Sequence, residues 1–217
     1  MKVREKFNAK LLVEGNDDQH VVWAICEKYN IPETFDVIDC EGISRILERL
    51  PLELKQESIK AIGVVLDADQ DLQKRWKNLS GILSSFGYAI PDQPSPEGFT
   101  HLPHDIYPTI GIWLMPDNLQ SGMLEDFIRL LIRPNDLLSP FVEQALVQLE
   151  AQPIDSRYSE IHRAKAYIHT WLAWQKDPGT PMGLAVTKTY LDHNTELCQR
   201  FVNWLNRLFN PEPQTVL

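Results

Sequence analysis

Two stretches constrain this chain more than any others. Lys10-Leu11-Leu12-Val13 is an apolar-ended run closed by Glu14 and Gly15, with Asp17 and Asp18 following within one turn of chain. Ile59 to Leu66 is a second apolar run, and it ends in Asp67, Asp69 and Asp71. Short apolar runs closed by Gly and Asx residues read as buried strands followed by turns. Each therefore sets carboxylates at the carboxyl end of a strand, where open α/β sheets build their ligand sites. Two acidic strand ends are costly to bring together in one small domain unless a cation lies between them. The pattern points to a divalent-metal site at the edge of a parallel sheet.

The period of the apolar residues supports that sheet. After Gly15, residues Val21, Val22, Ile25 and Tyr29 share one helical face, with Asn16 or Asp17 placed to cap it. Phe35 to Cys40 reads as a second strand, and Ile43, Ile46, Leu47 and Leu50 mark a short helix stopped by Pro51. Ile59–Leu66 is the third strand, followed by a helical stripe through Leu72, Trp76, Leu79, Ile82, Leu83 and Phe86. Thr109 to Met115 is a fourth strand, and Met123, Phe127, Leu130 and Leu131 mark the helix after it, with Glu125 and Asp126 in its first turn. Strands alternating with helices of this length imply βαβ units.

Five prolines interrupt the rhythm between Gly87 and Pro108, where Tyr88–Ile90 and Phe99–Leu102 could pair as a hairpin. Beyond Pro134 only helical spacing is left, in Phe141–Leu149, Ile161–Trp174 and Leu197–Leu208. The expected fold is thus α/β, a mainly parallel Rossmann-like sheet flanked by helices. Its α/β domain covers residues 1–134, with the Pro-rich insertion at 87–108, and an α-helical extension follows at 135–217.

Composition narrows the function classes. A net charge of −9 argues against a pure nucleic-acid-binding module, though less against an enzyme that meets phosphates through bound metal. Cys26, Cys40 and Cys198 are widely spaced and form no C-x-x-C pair, which suits reduced thiols in the cytoplasm. No run approaches the roughly 20 apolar residues of a membrane span, and MKVREKFNAK carries no apolar signal-peptide core.

Taken in order, Glu14-Gly15-x-x-Asp18 and Asp67-x-Asp69-x-Asp71 resemble the Toprim domain of topoisomerases, DnaG-type primases and OLD-family nucleases. The resemblance covers roughly residues 7 to 130, and the whole chain is similar to small stand-alone bacterial Toprim-like proteins. Ser121-Gly122-Met123-Leu124-Glu125-Asp126 is similar to the acidic third element of OLD-type domains, although here the Glu and Asp are adjacent, which leaves open which of them is a ligand. The resemblance implies Mg²⁺ or Mn²⁺ held by Asp67 and Asp69. Glu14 would act as a ligand or as general acid/base, and Gly15 would let a phosphate approach the backbone. Asp18, Asp71, Glu125 and Asp126 are further candidates. Hard oxygen ligands suit these ions, and a metal pair can clamp both oxygens of a phosphodiester in transfer. The implied activity is nuclease-type phosphodiester cleavage on DNA or RNA. The alternative is a non-catalytic scaffold for metal, nucleotide or a partner protein.

Plainer readings apply to other features. Asp17 and Asp117 read as a cap and a turn residue. His101-Leu-Pro-His104-Asp105 reads as a solvated loop rather than a zinc site, having no Cys nearby. Tyr167, Trp171 and Trp174 read as core. Arg157, His162, Arg163, Lys165 and His169 form one locally basic patch, ordinarily a solvated face, from which Arg163 and Lys165 are the candidates to meet nucleic acid; a second subunit is the other source of substrate grip. There is no GxGxxG for a dinucleotide and no GxxxxGK for a nucleoside triphosphate. A phosphorelay receiver would need a hydroxyl residue after strand four and a Lys after strand five, and a dehalogenase-type phosphatase would need DxD on strand one; TIGIWLMPDN and LLVEG supply neither.

Overall fold

The first apolar run forms β1 (Ala9–Val13), whose alternate side chains enter opposite layers of the protein. Leu11 and Val13 join one hydrophobic cluster, and Leu12 joins the other. This is the signature of a strand covered on both faces. The computed structural model describes residues 5–102, 106–155 and 157–211. After β1 come α1 (Asn16–Lys28), β2 (Asp36–Asp39), α2 (Ile43–Glu53), β3 (Ala61–Asp67), α3 (Leu72–Ser85), β4 (Phe99–His101) and β5 (Thr109–Met115). The strands lie in the order β2-β1-β3-β5-β4. All neighbours are parallel except β4, which runs antiparallel to β5. The fold is therefore the α/β, mainly parallel sheet that the alternating periods require.

Helices α2 and α3 cover one face of the sheet, where Ile46, Leu50, Trp76, Leu79 and Leu83 meet Leu12, Ile62, Val64, Ile112 and Leu114. The other face takes α1, then α4 (Leu124–Leu130), α5 (Ser139–Glu150), α6 (Arg163–Ala173), α7 (Met182–Thr187) and α8 (Glu196–Phe209). The helices after Pro134 thus complete the core over the sheet. Helix α8 docks where β3 and β5 carry glycine side by side, Gly63 opposite Gly111. A Cβ at Gly63 would stand 2.9 Å from Leu208, and one at Gly111 2.6 Å from it. The missing side chains are the seat of the helix. Trp204 is fully buried beside Trp113 and Phe201, and its indole N–H donates to the Phe99 carbonyl at 2.9 Å. Among the described residues no helix is long and apolar enough to cross a membrane.

Several local expectations need correction. Residues 88–90 form no strand, and Phe99–His101 pairs with β5 instead. Tyr88 is buried and spends its hydroxyl on the Pro108 carbonyl at 2.7 Å, so side-chain burial settles that segment. Pro51 lies inside the last turn of α2, where it removes only the hydrogen bond of its own nitrogen, and Leu54 N–H still reaches the Leu50 carbonyl at 3.0 Å. Neither Asn16 nor Asp17 caps α1, because Gly15 occupies the N-cap position. Helix α7 has no apolar stripe long enough to announce it. It rests on α1 through Gly183, where a Cβ would stand 2.7 Å from the His20 carbonyl oxygen.

If α8 is part of the core, truncating its central anchor should be felt by the whole fold. Trp204→Ala is expected to lower the unfolding free energy by about 3–5 kcal/mol in denaturant titration. A loss below about 1 kcal/mol would mean that the helix is only loosely attached.

Candidate functional site

The carboxyl ends of β1 and β3 are neighbours in the sheet, and their terminal acids are tied by the backbone. The Asp67 N–H donates to Glu14 Oε2 at 2.9 Å. Asp67 Oδ1 in turn accepts from the N–H of Leu124, the first residue of α4, at 2.9 Å. Asp18, in the first turn of α1, reaches back so that Oδ2 accepts from Gly15 N–H at 3.1 Å. Its other oxygen, Oδ1, is buried with no hydrogen-bond partner among the described residues. Glu125, the second residue of α4, is buried as well, and its Oε1 lies 3.3 Å from Lys165 Nζ on α6. Four acids from three chain segments and one lysine therefore share the site.

Electrostatics agree with the geometry. Burial pushes the Asp67 carboxyl up to about 8, with Asp18, Glu14 and Glu125 adding repulsion and the Leu124 N–H opposing it. Burial likewise raises Asp18 to about 7, helped by Glu14 and Glu125. Lys165 is held above its ordinary value: burial works against its charge, but Glu125, Asp67 and Asp17 outweigh it. Desolvated carboxylates of like sign raise one another's proton affinity, and that is the setting in which an added cation is worth most.

The other candidates are placed elsewhere. The Asp69 carboxylate is paired with Arg75 of α3 and does not join Glu14 and Asp67. Asp71 is the N-cap of α3, accepting from Lys74 N–H at 2.9 Å. Asp126 accepts from Met123 N–H at 3.0 Å and so caps α4, leaving Glu125 as the acid of this pair that faces the cluster. Gly15 is extended, a conformation open to any residue, and its N–H is occupied by Asp18; nothing in its backbone demands glycine for a phosphate. Arg163 pairs with Glu143 and Glu150, so it is not a free cation for nucleic acid. Lys165 turns to the acids instead. Asp117 is a turn residue as read, accepting from Leu119 and Gln120 N–H. Tyr167 and Trp171 are core, whereas Trp174 is exposed. His104 and Asp105 lie outside the described residues. Burial raises the thiols of Cys40 and Cys198 to about 11 and that of Cys26 to about 12, so none supplies a thiolate near neutrality.

Two features of these residues were not legible in advance. Arg75 stands six residues beyond Asp69, across a turn, and no motif marks it. The burial of Asp18 is the other, which only the packing of α1 decides. Among the described residues no three His, Cys, Asp or Glu side chains are already grouped to hold a metal ion. The donor set nevertheless fits Mg²⁺ or Mn²⁺ chemically: hard carboxylate oxygens, one of them buried without a partner, in a centre whose anions repel.

Fold and site together define an α/β protein with a carboxylate centre at the carboxyl end of a mainly parallel sheet. The chain belongs to the family described as a protein of unknown function, DUF3226, whose model matches residues 8–210. Among solved structures it is similar to the C-terminal region of the OLD protein of Xanthomonas campestris pv. campestris, at 15% identity and a TM-score of 0.45, covering 93% of this chain and 95% of that one. None of the curated proteins compared with the chain matches it.

The raised proton affinity has a sign that can be measured. Asp67 rises on folding from an ordinary 3.8 to about 8, so its protonated form favours the fold. That contribution is complete below pH ~4 and is lost as pH rises through 8. In chelator-containing buffer the protein should therefore lose stability across this window. Asp67→Asn, which keeps an oxygen for the Leu124 N–H, should be the more stable form at pH 8 by at least about 1.4 kcal/mol, the equivalent of one pKa unit. The two should converge near pH 4. A less stable Asn variant at pH 8 would contradict the repulsion.

Proposed function

We propose that this protein is a divalent-metal-dependent phosphodiesterase of the nuclease type, acting on DNA or RNA. The observation that carries the reading is the convergence of Glu14, Asp18, Asp67 and Glu125, with Asp18 Oδ1 buried and unsatisfied. Asp67, Asp18 and Glu125 would hold Mg²⁺ or Mn²⁺. The ion would supply Lewis-acid charge at a phosphate oxygen and lower the proton affinity of water. Glu14 has one oxygen fixed by the Asp67 N–H, and its other oxygen would serve as the proton acceptor for an attacking water. The Lys165 ammonium beside Glu125 would offset part of the negative charge as a phosphodiester monoanion approaches the ion.

A second reading, a non-catalytic scaffold, draws on a different observation. Glu125 and Asp69 are already neutralised by Lys165 and Arg75, and no three ligands are grouped among the described residues. Under that reading the cations are structural and no ion is needed.

Metal binding separates the two first. At about a hundredfold excess over Kd, Mg²⁺ or Mn²⁺ should raise Tm by roughly 5–10 °C, since only the folded state offers the site. Asp67→Asn combined with Asp69→Asn should remove the rise. Activity is then tested on supercoiled plasmid, single-stranded DNA and RNA beside Glu14→Ala, which should lose at least about 100-fold in rate. Melting indifferent to both ions would favour the scaffold. Equal cleavage by wild type and variant would assign the activity to a contaminant.

A further inference from the structure

Asp69 is the residue of the acidic pattern whose side chain and backbone disagree about where it belongs. Its backbone is stapled to the β5–α4 connection. The Asp69 N–H donates to the Gly122 carbonyl and the Gly122 N–H to the Asp69 carbonyl, both at 2.8 Å. The next residue back, Ala68, donates to the Met115 carbonyl at 3.2 Å. Asp69 also holds φ +52, in the left-handed region that Asp tolerates better than most non-glycine residues. The same β5–α4 connection leads into Leu124, whose N–H fixes Asp67. Two tethered loops thus present Asp67 and Asp69 from one rigid frame.

The Asp69 side chain, by contrast, is partly exposed and engaged by the Arg75 guanidinium from the first turns of α3. A carboxylate on a fixed backbone can change partner by side-chain rotation alone, without moving a loop. An ion pair of this exposure is weak enough to be exchanged. A divalent ion beside Asp67 would compete for Asp69 with the higher charge. The guanidinium released at that moment has the fork geometry that suits phosphate oxygens.

We propose that Arg75 is an exchangeable counter-ion: it holds Asp69 while the centre is empty, yields it to an incoming divalent cation, and then meets a phosphate oxygen of the substrate. The proposal rests on the metal-site reading above and assigns Arg75 a positioning role first and a substrate contact second.

The test measures two affinities by calorimetry in the full chain: Mg²⁺ for the metal-free protein, and inorganic phosphate for the Mg²⁺-loaded protein. Arg75→Ala should bind Mg²⁺ about three- to fivefold more tightly, the worth of a partly exposed ion pair, and phosphate about tenfold more weakly, the worth of a charged hydrogen bond. Opposite signs exclude a merely structural arginine, and loss of the Mg²⁺ gain when Asp69 is also changed separates exchange from simple charge removal. Arg75→Gln, which keeps hydrogen-bond donors without charge, should behave like the Ala variant, and Arg75→Lys should lie between it and wild type. Asp69→Asn should erase the Mg²⁺ gain of Arg75→Ala in the double variant. Unchanged or weaker Mg²⁺ binding in Arg75→Ala, with binding still abolished by Asp67→Asn, would overturn the exchange and leave the metal site standing. Tighter Mg²⁺ but unchanged phosphate would overturn the substrate contact. Absence of Mg²⁺ binding in every form would overturn the proposal together with the reading beneath it.

Discussion

The N–H of Asp67 pointing at Glu14 Oε2 holds the carboxyl edge of this protein together. It joins the ends of two adjacent parallel strands through a carboxylate rather than through the regular ladder, and the Asp67 carboxylate passes the link on to the first amide of α4. Each bond runs from a backbone N–H to a carboxyl oxygen, and Asp18 and Asp67 lie against the first turns of α1 and α4. Those contacts offset part of the cost of desolvating several acids together. They do not offset all of it, as the raised proton affinities of Asp18 and Asp67 show.

The opposite end of β1 provides an internal control. Lys10 is buried there, 2.8 Å from Glu53 and 2.6 Å from Glu5, with Arg49 bridging the same two acids. Two cations meet two anions, and no side-chain atom of these four residues is left buried and unpaired. A balanced network of that kind is what structure alone requires of charged groups in a sheet protein. At the carboxyl end four acids share one lysine, and a carboxylate oxygen is orphaned. The proposed metal site rests on this imbalance.

The two layers of helices divide the labour. Helices α2 and α3 cover one face of the sheet with aliphatic stripes and Trp76, and bring little to the site beyond Arg75. The other layer does both jobs: α1 and α4 present Asp18 and Glu125 while burying Val21, Ile25, Phe127 and Ile128, and α6 adds Lys165 beside buried Tyr167 and Ile168. Helix α8 then seals the layer through the Gly63–Gly111 seat. Rigid elements with full cores are what hold repelling carboxylates within reach of one another.

The sequence by itself determined the strands and most helices, because period-2 and period-3.6 burial leave direct traces in the order of apolar residues. It also determined that Glu14 and Asp67 meet, since each closes a strand and neighbouring parallel strands end at the same edge. The fates of the other acids were decided only by tertiary structure. Asp71 and Asp126 cap helices, Asp69 goes to Arg75, and Asp18 and Glu125 become buried. A carboxylate near a helix start can cap, pair or coordinate, and these options are equivalent in local sequence; the choice depends on which cations and amides other segments bring. Lys165 shows this most plainly. It looks like one cation in a basic patch, yet the packing of α6 against α4 turns it onto Glu125, a residue 40 positions away in the chain.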